Sequence, residues 1–137
     1  MRLLLATLAL ATAAPSLPAQ ESHAAHGDQH ATIPVATPAG KPIDCVRTID
    51  IQQTRVRDDS TIDFYMRGGK VYRNRLSGGA CPGLGFEERF LYKTSVGQLC
   101  SVDTITVLQG PGLTRGATCG LGQFEPVTIA KPAKASK

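Results

Sequence analysis

The sequence predicts an all-β domain, a small antiparallel barrel or sandwich of about six strands held by two disulfides. Three observations predict it. Between Ile43 and Glu125 the β-branched and aromatic residues fall in short runs separated by Gly- and Pro-rich clusters, the pattern of strands joined by tight turns. Outside the N-terminal apolar run, no window sustains a 3.6-residue apolar period. Four cysteines, Cys45, Cys81, Cys100 and Cys119, all lie in this same stretch.

The strands follow in order. "TIDIQQTRV" (Thr48 to Val56), "TIDFYMR" (Thr61 to Arg67) and "KVYRNRL" (Lys70 to Leu76) come first, then "ERFLYKT" (Glu88 to Thr94), "LCSVDTITVL" (Leu99 to Leu108) and "ATCGLGQF" (Ala117 to Phe124). The clusters "RDDS", "RGGK", "SGGACPGLG", "SVGQ" and "QGPGLTRG" supply the turns. A helical turn fits Gly83 to Arg89.

The Gly68-Gly69 step marks a hairpin. A two-residue loop would pair Phe64 with Arg73 and place charge on the apolar face. A three-residue loop puts Ile62, Phe64, Met66, Tyr72, Asn74 and Leu76 on one face. Asp63, Tyr65, Arg67, Val71, Arg73 and Arg75 then share the other. The second register separates apolar from charged residues, and such separation sets register. It also brings Asp63 across from Arg73 or Arg75. The basic residues then read as a solvated outer face, on which Tyr65, Arg67, Arg73 and Arg75 form a stripe able to meet an anion or a partner.

The ends divide the chain. Met1-Arg2 followed by the apolar run Leu3 to Ala14 has the layout of a secretory signal peptide and is too short to span a bilayer. The expected domains are 1–19 signal peptide, 20–42 flexible Ala/His/Pro linker, 43–125 disulfide-stabilised β domain and 126–137 flexible basic tail. The chain carries +4 overall and a pI near 9.0. Residues 43–125 hold ten basic against nine acidic side chains. The excess therefore sits in the ends, and a nucleic-acid partner is not expected. The expected location is periplasmic or extracellular, with no transmembrane segment in the mature form.

The cysteine spacings of 36, 19 and 19 contain no Cys-x-x-Cys pair, which argues for two disulfides rather than zinc. Four cysteines allow three pairings. The nested one, Cys81–Cys100 with Cys45–Cys119, is the expectation, and each bridge is worth roughly 2–4 kcal/mol to so small a core.

The candidates for chemistry are few. His23, His26 and His30 are all the histidines of the chain. They make the linker a candidate copper, nickel or zinc site, most directly if cleavage left Glu21-Ser22-His23 at the amino terminus. No other cofactor is expected. With no histidine after residue 30, Ser-His-Asp and Cys-His catalysis are excluded from the core. Asp103, an acid inside an apolar strand, would serve a small carboxylate-based hydrolase only if a cleft joined it to Glu87 or Glu88.

The pattern "DCVRTIDI…TRVRDDSTIDFYMRGGKVYRN…CPGLGFEERFLYKTS…LCSVDTITVL…ATCGLGQF" resembles an uncharacterised family of small exported bacterial proteins, a domain of unknown function. The resemblance covers Asp44 to Phe124. It implies export, paired cysteines and a β-rich fold, and it carries no catalytic residue. The expected function is a non-enzymatic β domain that binds a protein or an envelope component. Metal binding through the histidine linker and hydrolysis by carboxylates are the alternatives.

Overall fold

The computed structural model describes residues 33–94 and 96–130. Its elements are β1 (Ala36–Pro38), β2 (Cys45–Arg47), a 3-10 turn (Thr48–Asp50), β3 (Ile51–Val56), β4 (Thr61–Met66), β5 (Val71–Arg75), α1 (Leu84–Glu87), β6 (Phe90–Tyr92), β7 (Gln98–Cys100), β8 (Thr104–Gln109), β9 (Thr114–Gly120) and β10 (Phe124–Ile129). They form three antiparallel sheets: β1-β10-β5-β4-β3, β2-β7 and β6-β8-β9. The fold is all-β, and the expected helical turn is α1.

The hairpin register is the three-residue one. Ile62 faces Asn74, Asp63 faces Arg73 and Phe64 faces Tyr72 across β4 and β5. The Met66 N–H donates to the Lys70 carbonyl at 2.8 Å around Arg67-Gly68-Gly69. Both glycines hold φ +82, a left-handed backbone that side chains resist.

Ile62, Phe64 and Met66 point into one core shared by all three sheets, with Leu99, Ile105, Val107, Leu121 and Phe124. The Phe64 ring meets Phe124 edge-on at 5.3 Å and Phe90 at 6.5 Å. Asn74 is the polar exception on this face and is fully buried. It is satisfied by Gly122, whose N–H donates to Asn74 Oδ1 (3.0 Å) and whose carbonyl accepts from Nδ2 (2.6 Å). A Cβ at Gly122 would run into the Arg75 carbonyl, so this close approach requires glycine.

There are ten strands among the described residues rather than the six expected: one predicted run splits in two, and β1, β2 and most of β10 lie outside the predicted runs. "LCSVDTITVL" splits into β7 and β8 where the Asp103 carboxylate accepts the Cys100 N–H at 2.7 Å and closes a turn. "TIDIQQTRV" opens with the 3-10 turn, and a bulge lies between Ile51 and Gln53.

The domain limits also need correcting. Strand β1 lies within the expected 20–42 linker, and β10 runs past residue 125 into the expected tail. Prolines hid both strands, and the register shows why they are tolerated. Ala39 donates to the Pro126 carbonyl and Ala130 to the Val35 carbonyl, so odd-numbered residues of β1 face β10 and Pro38 turns its missing N–H to the open edge. The missing donor of Pro126 faces Ala39, one residue past the end of β1, so a single ladder bond is lost.

The cysteine pairing is not the nested one. Cys45 bonds Cys100 and Cys81 bonds Cys119. Register decides it: Cys45 stands opposite Cys100 across β2 and β7, while the Ser77 N–H donates to the Gly120 carbonyl and lays the chain after β5 along the end of β9. The two closed loops, of separations 55 and 38, therefore overlap. Each constrains the unfolded chain by roughly 4 kcal/mol in the chain-entropy account.

Candidate anion-binding site

The predicted stripe comes apart on the outer face of the five-stranded sheet. Asp63 is fully buried. It accepts from Arg73 Nε at 2.8 Å, Arg73 Nη2 at 3.0 Å and Arg57 Nε at 2.7 Å. Arg57 Nη2 continues to the Tyr65 hydroxyl (2.8 Å), and Arg73 Nη2 also donates to the Pro34 carbonyl (3.2 Å). The hydrogen bond to Asp63 raises the Arg73 pKa above its ordinary value against the opposing effect of burial. The expectation of a solvated face is thus corrected at Asp63 and Arg73. Arginines from the end of β3 and from β5 fold over the acid between them, and the chain before β1 closes against one of them. Tyr65 is half-buried, with the Arg55 guanidinium 5.7 Å from its ring centroid. Arg75 is exposed and loosely paired with Glu125 at 3.8 Å.

Arg67 has a different setting. It is exposed at the hairpin tip, where its N–H donates to the Asp50 carbonyl. Residues 39–47 pass beside this tip and leave a cleft on either side of Ile43 and Tyr72. One cleft, of about 400 Å³, runs from Gly40 and Lys41 to Lys70 and Tyr72 over Pro126. The other, of about 280 Å³, lies between Cys45–Arg47 and Met66–Lys70. They share Ile43, Lys70 and Tyr72, so they form one bent groove. Lys41, Arg47, Arg67 and Lys70 line it against a single carboxylate, Asp50. Arg47 reaches Asp50 at 3.7 Å. Lys41, Arg67 and Lys70 make no ion pair among the described residues. Exposed cations around an apolar floor of Ile43, Val71 and Tyr72 can hold an anionic group through charge-assisted hydrogen bonds.

Of the stripe, only Arg67 belongs to this groove. Lys41, Arg47 and Tyr72 were missed. Lys41 sat in the presumed linker, and the approach of residues 39–47 to the hairpin tip depends on β1, whose prolines disguised it. The available signal was Lys70, a cation that closes the hairpin loop opposite Met66 and has no acid across from it.

The carboxylate pair required for hydrolysis does not assemble. Asp103 caps the turn before β8, and the cleft it lines, with Lys93, Gln98 and Cys100, includes neither glutamate. Glu87 pairs with Arg89 at 2.8 Å and accepts the Gly110 N–H. Glu88 is exposed beyond α1. His23, His26 and His30, and the segment expected to be a signal peptide, lie outside the described residues. Among the described residues, no helix is long and apolar enough to cross a membrane.

The geometry defines a class: a small β domain closed by two disulfides and bearing a cationic groove. No protein-family model, curated protein or solved structure matches the chain.

Proposed function

We propose that this is an exported, non-enzymatic binding domain that recognises an anionic glycan of the cell envelope through the groove around Tyr72. The observation that carries the reading is the set of three cations, Lys41, Arg67 and Lys70, lining two joined clefts with no acidic partner among the described residues. Cations on both arms of a bent groove suit a chain of repeated negative charge, and half-buried Tyr72, which lines both clefts, adds an aromatic residue to the wall a sugar would meet. Export is supported by the N-terminal apolar run and by two disulfides, which persist in oxidising compartments.

Dextran sulfate beads are the test probe. The mature protein binds them at low salt and is released as salt rises. Arg67→Gln/Lys70→Gln abolishes retention, while Arg75→Gln preserves it. Retention of the double variant equal to wild type overturns the reading. Copper or nickel binding by the linker is a second reading, carried by three histidines within eight residues. It fails if a His23→Ala/His26→Ala/His30→Ala variant titrates with unchanged affinity.

A further inference from the structure

The two disulfides sit in different chemical settings. Cys81 is fully buried in the core cluster beside Leu84, and half-buried Cys119 packs against the same cluster, so an incoming thiolate cannot reach the Cys81 sulfur while the core is packed and has only the Cys119 sulfur to attack. Cys45 and Cys100 are both half-buried. The Ser101 N–H donates to the Asp44 carbonyl at 2.7 Å in the adjoining register position, which makes Cys45 and Cys100 a pair without ladder bonds between them. Val46 and Leu99 take the core face of the same two strands, so the Cys45–Cys100 bond lies on the opposite, outward face. Its two ends open onto different clefts. Cys45 lines the groove that holds Arg47, Arg67 and Lys70 against Asp50 alone. Cys100 lines the neighbouring cleft of about 410 Å³, where Lys93 is balanced by Asp103.

We propose that Cys45–Cys100 is a thiol–disulfide exchange site, acted on by an external dithiol, and that Cys81–Cys119 is a purely structural bridge. The sulfurs have distinct roles. A dithiol thiolate attacks Cys100 Sγ through the open cleft, forms a mixed disulfide and expels Cys45 as thiolate. The second thiol of the dithiol then attacks its own sulfur in the mixed disulfide and releases Cys100. The dithiol ends as a disulfide, and its two electrons and two protons reside on the Cys45 and Cys100 thiols. Cationic surroundings lower a thiol's pKa, and a leaving thiol of lower pKa departs faster. The groove's excess of positive charge therefore sets the direction of attack.

The test treats the folded full chain with graded dithiothreitol, quenches with acid, and locates free thiols by alkylation and peptide mass spectrometry. Cys45 and Cys100 are expected to label together, at least about tenfold faster than Cys81 and Cys119. Arg67→Gln/Lys70→Gln, checked for an unchanged melting curve, slows that opening several-fold and leaves the slower pair's rate alone. High salt does the same to wild type. Opening of Cys81–Cys119 first, simultaneous labelling of all four cysteines, or a rate indifferent to both the charge substitutions and salt overturns the proposal.

Discussion

Two sets of cations lie on adjacent stretches of this chain and have opposite fates. Arg57 and Arg73 converge on buried Asp63 and are committed to it by three hydrogen bonds. Lys41, Arg67 and Lys70 line a groove in which they have no ion-pair partner among the described residues. Arg67 and Arg73 belong to one hairpin. What separates them is register: Arg73 is placed opposite Asp63, whereas Arg67 lies in the loop, with no residue across from it on β5 and only its backbone N–H engaged by Asp50. The density of basic residues in a segment therefore says little about the charge available to a ligand. The position of the nearest acid decides it.

The largest test of this contrast is Asp63→Asn. It leaves two arginines facing each other without a counter-charge, and removing one member of a buried ion network costs about 3–5 kcal/mol. Urea unfolding should show that loss, with dextran sulfate retention intact at temperatures where the variant is folded. Tyr65→Phe removes only the acceptor for Arg57 Nη2. A hydrogen bond to a charged group is worth about 1.5–3 kcal/mol, and partial exposure places this one at the lower end.

Acidification probes the same corner more gently. Burial pushes the Asp58 carboxyl up, but hydrogen bonds from Ser60 and Thr61 outweigh it and hold the pKa below its ordinary value. A carboxylate with a lowered folded pKa stabilises the fold above its unfolded pKa of about 3.9 and loses that contribution as pH falls through the folded value. Asp58→Asn should therefore flatten the fall of the urea midpoint on acidification below about pH 5. The smallest change in stability is expected for Arg67→Gln/Lys70→Gln, within about 0.5 kcal/mol because both side chains are exposed. The same substitution should have the largest effect on binding, and a stability loss comparable to that of Asp63→Asn would erase the distinction between the two sets.

The hairpin was legible because its residues carry the answer locally: only one register separates Ile62 and Phe64 from Asp63 and Arg73. What covers the Asp63 face was not legible, since the covering groups, Arg57 and the Pro34 carbonyl, come from beyond the hairpin. The disulfide pairing failed for a related reason. Spacing alone does not reveal that Cys45–Arg47 pairs with Gln98–Cys100, two three-residue strands far apart in sequence. The prolines of β1 and β10 disguised both strands, yet Pro38 turns its missing N–H to the open edge and Pro126 costs a single ladder bond, facing Ala39 just past the end of β1. The groove was hidden with them, because one of its walls follows β1.

The prolines that disguised those strands have a further effect on molecules at high concentration. The five-stranded sheet ends in β1 on one side and β3 on the other. On its free side β1 presents Ala36 and Pro38, and proline has no donor to give an approaching chain. At the far border the irregularity between Ile51 and Gln53 spoils the straight template that stacking needs, and Arg55 adds charge repulsion between copies. Neither border invites another copy to extend the sheet, so crowding many copies together leaves each one's backbone ladder closed to its neighbours.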